Sequence, residues 1–300
     1  MADEAGREST GADSGTSRIL CGDAGDRLSD LPTGSISTII TSPPYYRQRD
    51  YDDERQIGIE TSPQDYLDRL VQIFAKCRRV LREDGTLWLN LGDKYQDKRL
   101  LGLPWRVALA LSDDGWYLRS DIIWHKPNAM PHPVTSRPTP DHEYLFLLSK
   151  SADYYYDADA IREPHVTFSE NSKMMGGRNH FGKRKGTPEA GKNSGSSNLH
   201  DARWDQAFHP NGRNKRTVWS VSLGKFREAH FAVFPPKLIE PCILAGAPVG
   251  GFVLDPFFGS GTVGLVATQL GRRYLGIELN PEYVKIAQKR LANVQTRLIP

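Results

Sequence analysis

The chain has 300 residues, 38% apolar and 10% aromatic, enough for one large α/β domain with or without a smaller lobe. With 39 Lys and Arg against 36 Asp and Glu the net charge is +3, too small to name a partner, and no run approaches the ~18 apolar residues of a membrane-spanning helix. The three cysteines, Cys21, Cys77 and Cys242, lie far apart, which argues against a disulfide framework or a zinc site and fits a reducing cytoplasm.

Residues 1–17 are small, polar and acidic, lack the basic and apolar stretches of a signal peptide, and read as a disordered tail. Residues 35–41 (SISTIIT) are β-branched, end at two prolines, and read as a buried strand. Residues 62–81 carry Tyr66, Leu67, Leu70, Val71, Phe74 and Cys77 at helical spacing, with Ser62 as N-cap and Pro63 in the first turn. A strand over 85–91, a helix over 103–111, and strands over 117–124 and 143–148 follow. Over 162–216 periodicity vanishes, and 11 Lys and Arg stand against five Asp and Glu. That segment reads equally as a solvated insertion or as a lobe that contacts nucleic acid. Beyond it come a helix over 237–245, a strand over 251–254, a helix over 262–270, a strand over 273–277 and a helix over 281–293. Near-continuous apolar strands alternating with amphipathic helices predict an α/β, Rossmann-like doubly wound sheet, mostly parallel.

The most specific signal spans residues 251–280, GFVLDPFFGSGTVGLVATQLGRRYLGIELN. A strand runs into a glycine turn, then a helix, then a second strand ending in an acid. Gly259, Gly261 and Gly264 satisfy GxGxxG, and Glu278 lies 17 residues past Gly261, placed to accept from the hydroxyls of a ribose. A dinucleotide is disfavoured, because too little chain follows Glu278 to finish its fold. Asp255, ahead of the glycines, would repel a pyrophosphate and attract the ammonium of S-adenosylmethionine.

Together, DPFFGSGT (residues 255–262) and the upstream TSPPYY (residues 41–46) resemble the beta-type DNA amino-methyltransferases of restriction–modification systems, in which the catalytic motif precedes the cofactor motif. CGDAGDRLSDLP (21–32), WHKPN (124–128) and HFAVFPPKL (230–238) extend the likeness across the chain. The resemblance implies a circularly permuted motif order and S-adenosyl-L-methionine as cofactor. It implies a cofactor set of Asp23, Ala24, Thr41, Lys237, Leu238, Asp255, Phe257, Gly259, Ser260, Gly261, Thr262 and Glu278. Residues 18–160 would be the catalytic half, 161–228 a small DNA-recognition lobe and 229–300 the cofactor half. Duplex DNA is the implied partner; whether a cognate restriction endonuclease accompanies it stays open, as do monomer and homodimer, and no metal is implied.

Thr41-Ser42-Pro43-Pro44-Tyr45 leaves a strand end, where open α/β sheets bind ligands. The two prolines fix the backbone and remove donors. Ser42 Oγ and the Pro43 carbonyl can then accept from the N–H groups of a base amine and free its conjugated lone pair, with aimed dipoles stabilising the charge that develops on nitrogen. The base must be flipped out of the duplex, and Tyr45, then Tyr46, can stack on it. A serine before Pro-Pro-Tyr goes with N4 of cytosine in this family more often than with N6 of adenine, which stays the alternative, as does an inactive nucleic-acid-binding module. Asp93 is a candidate catalytic acid at a strand end. Arg47 and the Lys183, Arg184, Lys185 cluster are candidate DNA contacts, and His125 and Lys126 fit loop packing or a phosphate contact. Pro241-Cys242 matches the thiol of cytosine C5 chemistry only as a dipeptide, since Cys242 falls in an apolar helical pattern and reads as core.

Overall fold

The computed structural model describes residues 16–48, 53–164, 211–224, 234–292 and 294. Residues 1–15 of the expected tail and the Lys183, Arg184, Lys185 cluster lie outside these. Contacts divide the chain into two units, one of Met1–Tyr156 with Thr217–Pro300, the other of Asp157–Arg216. No helix among the described residues is long and apolar enough to cross a membrane.

The larger unit is built on one sheet. Its strands are β1 (Arg18–Cys21), β2 (Ile36–Thr41), β3 (Leu81–Leu91), β6 (Tyr117–His125), β7 (His142–Ser149), β8 (Val218–Ser220), β9 (Phe252–Asp255) and β10 (Arg273–Glu278); β4 (Tyr95–Gln96) and β5 (Arg99–Leu100) form a separate hairpin. The order across the sheet is β1-β10-β9-β2-β3-β7-β6-β8. Every pairing is parallel except those of β7, which runs against both its neighbours. This is the Rossmann-like, doubly wound arrangement that strand–helix alternation implies. All six residues of β2 are buried, as a central strand covered on both faces requires.

Helices α1 (Ala24–Ser29), α2 (Pro63–Val80) and α3 (Leu103–Asp113) pack into one core with Ile39, Leu87, Leu89 and Leu91 of the sheet. Further helices are α4 (Pro236–Gly246), α5 (Thr262–Gln269) and α6 (Pro281–Leu291); α4 packs on β2, β3 and α5, and α6 on α5 and β10. A capping box opens α2: Ser62 Oγ accepts from Asp65 N at 3.1 Å, and the Asp65 carboxylate accepts from Ser62 N at 3.2 Å. Its buried stripe, Tyr66, Leu67, Leu70, Ile73, Phe74, Cys77 and Val80, is the one helical spacing marks out, with Ile73 and Val80 added and Val71 only partly buried.

Four elements were not expected from sequence: β1, α1, the β4–β5 hairpin and β8. Each is six residues or fewer, too short to show a period. Strand β8 belongs to the large sheet, although it lies in the segment expected as the recognition lobe. In the smaller unit a 3-10 turn, Asp159–Ile161, precedes Glu163, which exchanges 2.9 Å backbone hydrogen bonds with Arg213 and pairs through its carboxylate with Arg213 and Lys215.

The glycine turn after β9 depends on a close approach. Phe258 lies flat against Gly276 of β10, so that a Cβ there would stand 2.3 Å from the ring. Gly276→Ala should therefore overpack the turn and cost about 1–3 kcal/mol. Urea denaturation measures this, and an unchanged midpoint would show that the ring can move away.

Candidate functional site

The carboxyl ends of β1, β10, β9, β2, β3 and β6 open on one rim. Strand β7 runs the other way, so its start, near Glu143, reaches the same rim. A cavity of ≈ 520 Å³ lies there. The strand order divides it: β1, β10 and β9 supply one wall, β3, β7, β6 and β8 the other, and the turn after β2 stands between them.

On the first wall, Asp255 ends β9 and is 2% exposed. Its carboxylate accepts from Thr41 Oγ1 at 2.6 Å and from Phe257 N at 3.0 Å. Burial outweighs those hydrogen bonds, and with the nearby Glu278 charge it pushes the Asp255 carboxyl up to about 7. Glu278 ends β10; its oxygens accept from Gly259 N at 2.7 Å and Asn280 N at 2.8 Å, and burial again raises its pKa. Gly259 and Gly261 take φ of 52° and 80°, which glycine adopts without strain. A Cβ at Gly259 would meet no atom within 4 Å, so the backbone there borders open space. From α6, Arg290 donates to Ser260 O, Ser260 Oγ and Thr262 Oγ1 and ties down the far side of the turn.

The second wall is a polar chain. Ser42 Oγ lies 3.3 Å from Tyr45 Oη, which donates to Glu143 Oε2 at 2.7 Å. Asn90 Nδ2 donates to Glu143 Oε2 at 2.8 Å and to Tyr45 Oη at 2.9 Å. Lys126 Nζ donates to Glu143 Oε1 and lies 4.4 Å from the centroid of the Trp124 ring. Burial, then the Glu143 charge, raises the Tyr45 phenol well above its ordinary value. The directions follow from the hub. A carboxylate only accepts, so Tyr45 donates to it; Ser42 then donates to Tyr45, and of the two lone pairs of Ser42 Oγ one faces Asn90 Nδ2 at 3.4 Å and the other stays available. Gly92 makes room for this, since a Cβ there would stand 2.8 Å from the Tyr45 ring.

Of the residues singled out in the sequence, Asp23, Ala24, Ser42, Pro43, Pro44, Tyr45, Asp255, Phe257, Gly259, Ser260, Thr262 and Glu278 line the cavity. Thr41 is buried behind it and acts through Asp255. Gly261 caps α5 and packs towards Ala287 and Leu291. The remaining candidates stand elsewhere, each for a physical reason. Asp93 Oδ1 accepts from Lys94 N and Leu103 N and fixes the entry to α3. Leu238 is wholly buried in α4 and Lys237 is exposed on it, and neither lines the cavity. Tyr46 is 1% exposed, tilted on Tyr66 at 5.7 Å, and is a core residue rather than one facing DNA. The Arg47 guanidinium donates to the carbonyls of Glu60 and Thr61. Cys242 is wholly buried, its thiol donating to Leu238 O. Lys126 is neither loop packing nor a surface cation, because it enters the cavity wall paired with Glu143.

Asn90, Trp124 and Glu143 went unnoticed in the sequence. Asn90 had a signal, as the one polar side chain late in an apolar strand. Glu143 had none, since strand-end reasoning looks at carboxyl ends and β7 offers its start.

Residues 36–289 match the family model described as DNA methylase. The chain is 45% identical to the type II methyltransferase M.Cfr9I of Citrobacter freundii, with 93% of this chain and 88% of that one aligned. It is 39% identical to M.SmaI of Serratia marcescens over 91% and 90% of the two chains. Among solved structures it is similar to a Thermus thermophilus protein assigned as a DNA modification methylase and complexed with S-adenosyl-L-methionine (TM-score 0.59, 25% identity, 92% and 93% covered). The fold is also that of the PvuII DNA methyltransferase, described as cytosine-N4-specific (TM-score 0.65, 20% identity, 92% and 88% covered).

The Asp255 carboxyl gives a pH signature. It titrates at about 7 in the fold against 3.8 as a free side chain. Raised in the folded state, it contributes stability that is complete below about pH 4 and lost as pH rises through about 7. Wild type should therefore lose stability relative to Asp255→Asn over that interval, measured by urea titration. Parallel profiles would mean that Asp255 is ionised throughout.

Proposed function

The chain belongs to the N4/N6 DNA methylase family of restriction–modification methyltransferases, and from that premise we propose that it methylates N4 of a flipped cytosine in duplex DNA. The family's methyl donor is S-adenosyl-L-methionine, which supplies an electrophilic methyl group on a sulfonium when bound. The first wall fits such a ligand. Glu278 would take the ribose hydroxyls, the bare backbone at Gly259 allows close approach, and Asp255 suits the ammonium of the methionine end.

The observation that carries the reading is the state of Ser42. Its proton is committed to Tyr45, so its oxygen meets a ligand as an acceptor. An exocyclic amine offers two N–H donors. Ser42 Oγ and the Pro43 carbonyl are the acceptors assigned to them, drawing the nitrogen towards tetrahedral geometry so that its lone pair leaves the ring. As positive charge grows on nitrogen, the same two dipoles stabilise it without reorganising. Tyr45, pinned through its hydroxyl, offers its ring to the base. The serine itself favours cytosine, because in this family an acid or Asn at that position goes with adenine. Phosphate contacts are assigned to residues 162–216, where basic side chains outnumber acidic ones.

Nucleoside analysis of DNA methylated by the enzyme should yield N4-methylcytosine; N6-methyladenine in its place would overturn the cytosine reading. Ser42→Ala should lower kcat about 100-fold, with S-adenosylmethionine affinity unchanged by calorimetry. Near-normal turnover would remove Ser42 from the chemistry.

A further inference from the structure

Among the charged side chains of the cavity that have no part in these assignments is Lys126. Lys126 ends the run after β6, its side chain 16% exposed, between the Trp124 ring and Glu143. An ammonium carries three N–H donors. Glu143 Oε1 takes one, while Glu143 Oε2 is occupied by Tyr45 and Asn90. The ion pair therefore holds the ammonium in place and leaves donor capacity at the cavity wall.

Strand order fixes what that donor can reach. Lys126 lies on the β3-β7-β6 side of Ser42, away from β9, β10 and Glu278. A base whose amine meets Ser42 extends the rest of its pairing edge in one direction. Cytosine presents N3 and then the carbonyl O2, both acceptors. Adenine presents N1 and then a C–H. A partly buried ammonium already held by Glu143 finds a second acceptor on the first edge and a C–H on the second, and a site built around a polar partner rejects a ligand that lacks it. We propose that Lys126 donates to O2 of the target cytosine and is the residue that separates cytosine from adenine. This rests on the cytosine reading above, and it makes Glu143 a positioning residue for both Tyr45 and Lys126.

The test is a cycle between protein and base. Wild type and Lys126→Met are assayed on duplexes whose target position holds cytosine or 2-thiocytosine, in which sulfur is the poorer acceptor. On cytosine, Lys126→Met should lower kcat/KM at least about tenfold, and 2-thiocytosine should lower it for the wild type by a similar factor. The two losses should not multiply, because they remove one contact. S-adenosylmethionine affinity should not change. Losses that multiply in full would overturn the contact, and so would weakened cofactor binding by Lys126→Met. Lys126→Arg keeps a cation on Glu143, and it carries the same cycle if the methionine variant does not fold. Failure of the cytosine reading is visible separately, as N6-methyladenine made by the wild type, and would take this proposal with it.

Discussion

The site depends on the pairing of β2 with β9. Thr38 lies beside Val253 and Ile39 beside Leu254, and just beyond, Thr41 Oγ1 donates to Asp255 Oδ1 at 2.6 Å. Both side chains are buried; without Asp255 the Thr41 hydroxyl would lose this acceptor in the core, and without Thr41 the carboxylate would keep only Phe257 N. The contact joins positions 214 residues apart. Loop-closure entropy grows only with the logarithm of length, about 0.6 kcal/mol per doubling, so such a separation is tolerable. From this anchor both functional turns begin: Ser42 follows Thr41 directly, and the glycine turn follows Asp255.

Chain order and spatial order differ because of that pairing. The strands nearest the carboxyl terminus, β9 and β10, insert between β1 and β2, which are near the amino terminus. The first wall of the cavity therefore combines Asp23 and Ala24 with Asp255 and Glu278, although the catalytic motif comes early and the cofactor motif late. Parallel pairings of this kind are non-local and form only when distant segments meet.

The opposite wall is organised by charge. Glu143 and Lys126 are each 16% exposed, and taking a charge out of water is costly unless it is partnered. Lys126, Tyr45 and Asn90 supply those partners. In return Glu143 orients a phenol, an amide and an ammonium along this wall of the cavity. The reversed direction of β7 makes this possible, since a parallel strand would present its other end to the rim.

Local pattern determined much of the molecule. β-branched runs, the Ser62-Pro63 helix entry and the glycine turn are short-range signals, and the strands and helices they mark lie within a few residues of their expected ends. The sequence also singled out most of the first wall of the cavity, because its residues cluster in one βαβ unit, and it singled out the Ser42–Tyr45 turn, because two prolines leave a distinctive mark. What it did not determine was which side chains near those motifs turn inward. Asp93 and Tyr46 adjoin motif strands or turns, yet one anchors a helix and the other fills the core. Lys126 lies in the WHKPN stretch and Glu143 at the start of β7, and they meet at the cavity only through the order and direction of β3, β7 and β6. Strand direction and neighbour choice are set by the burial of whole faces against helices, and no single stretch of chain carries that information.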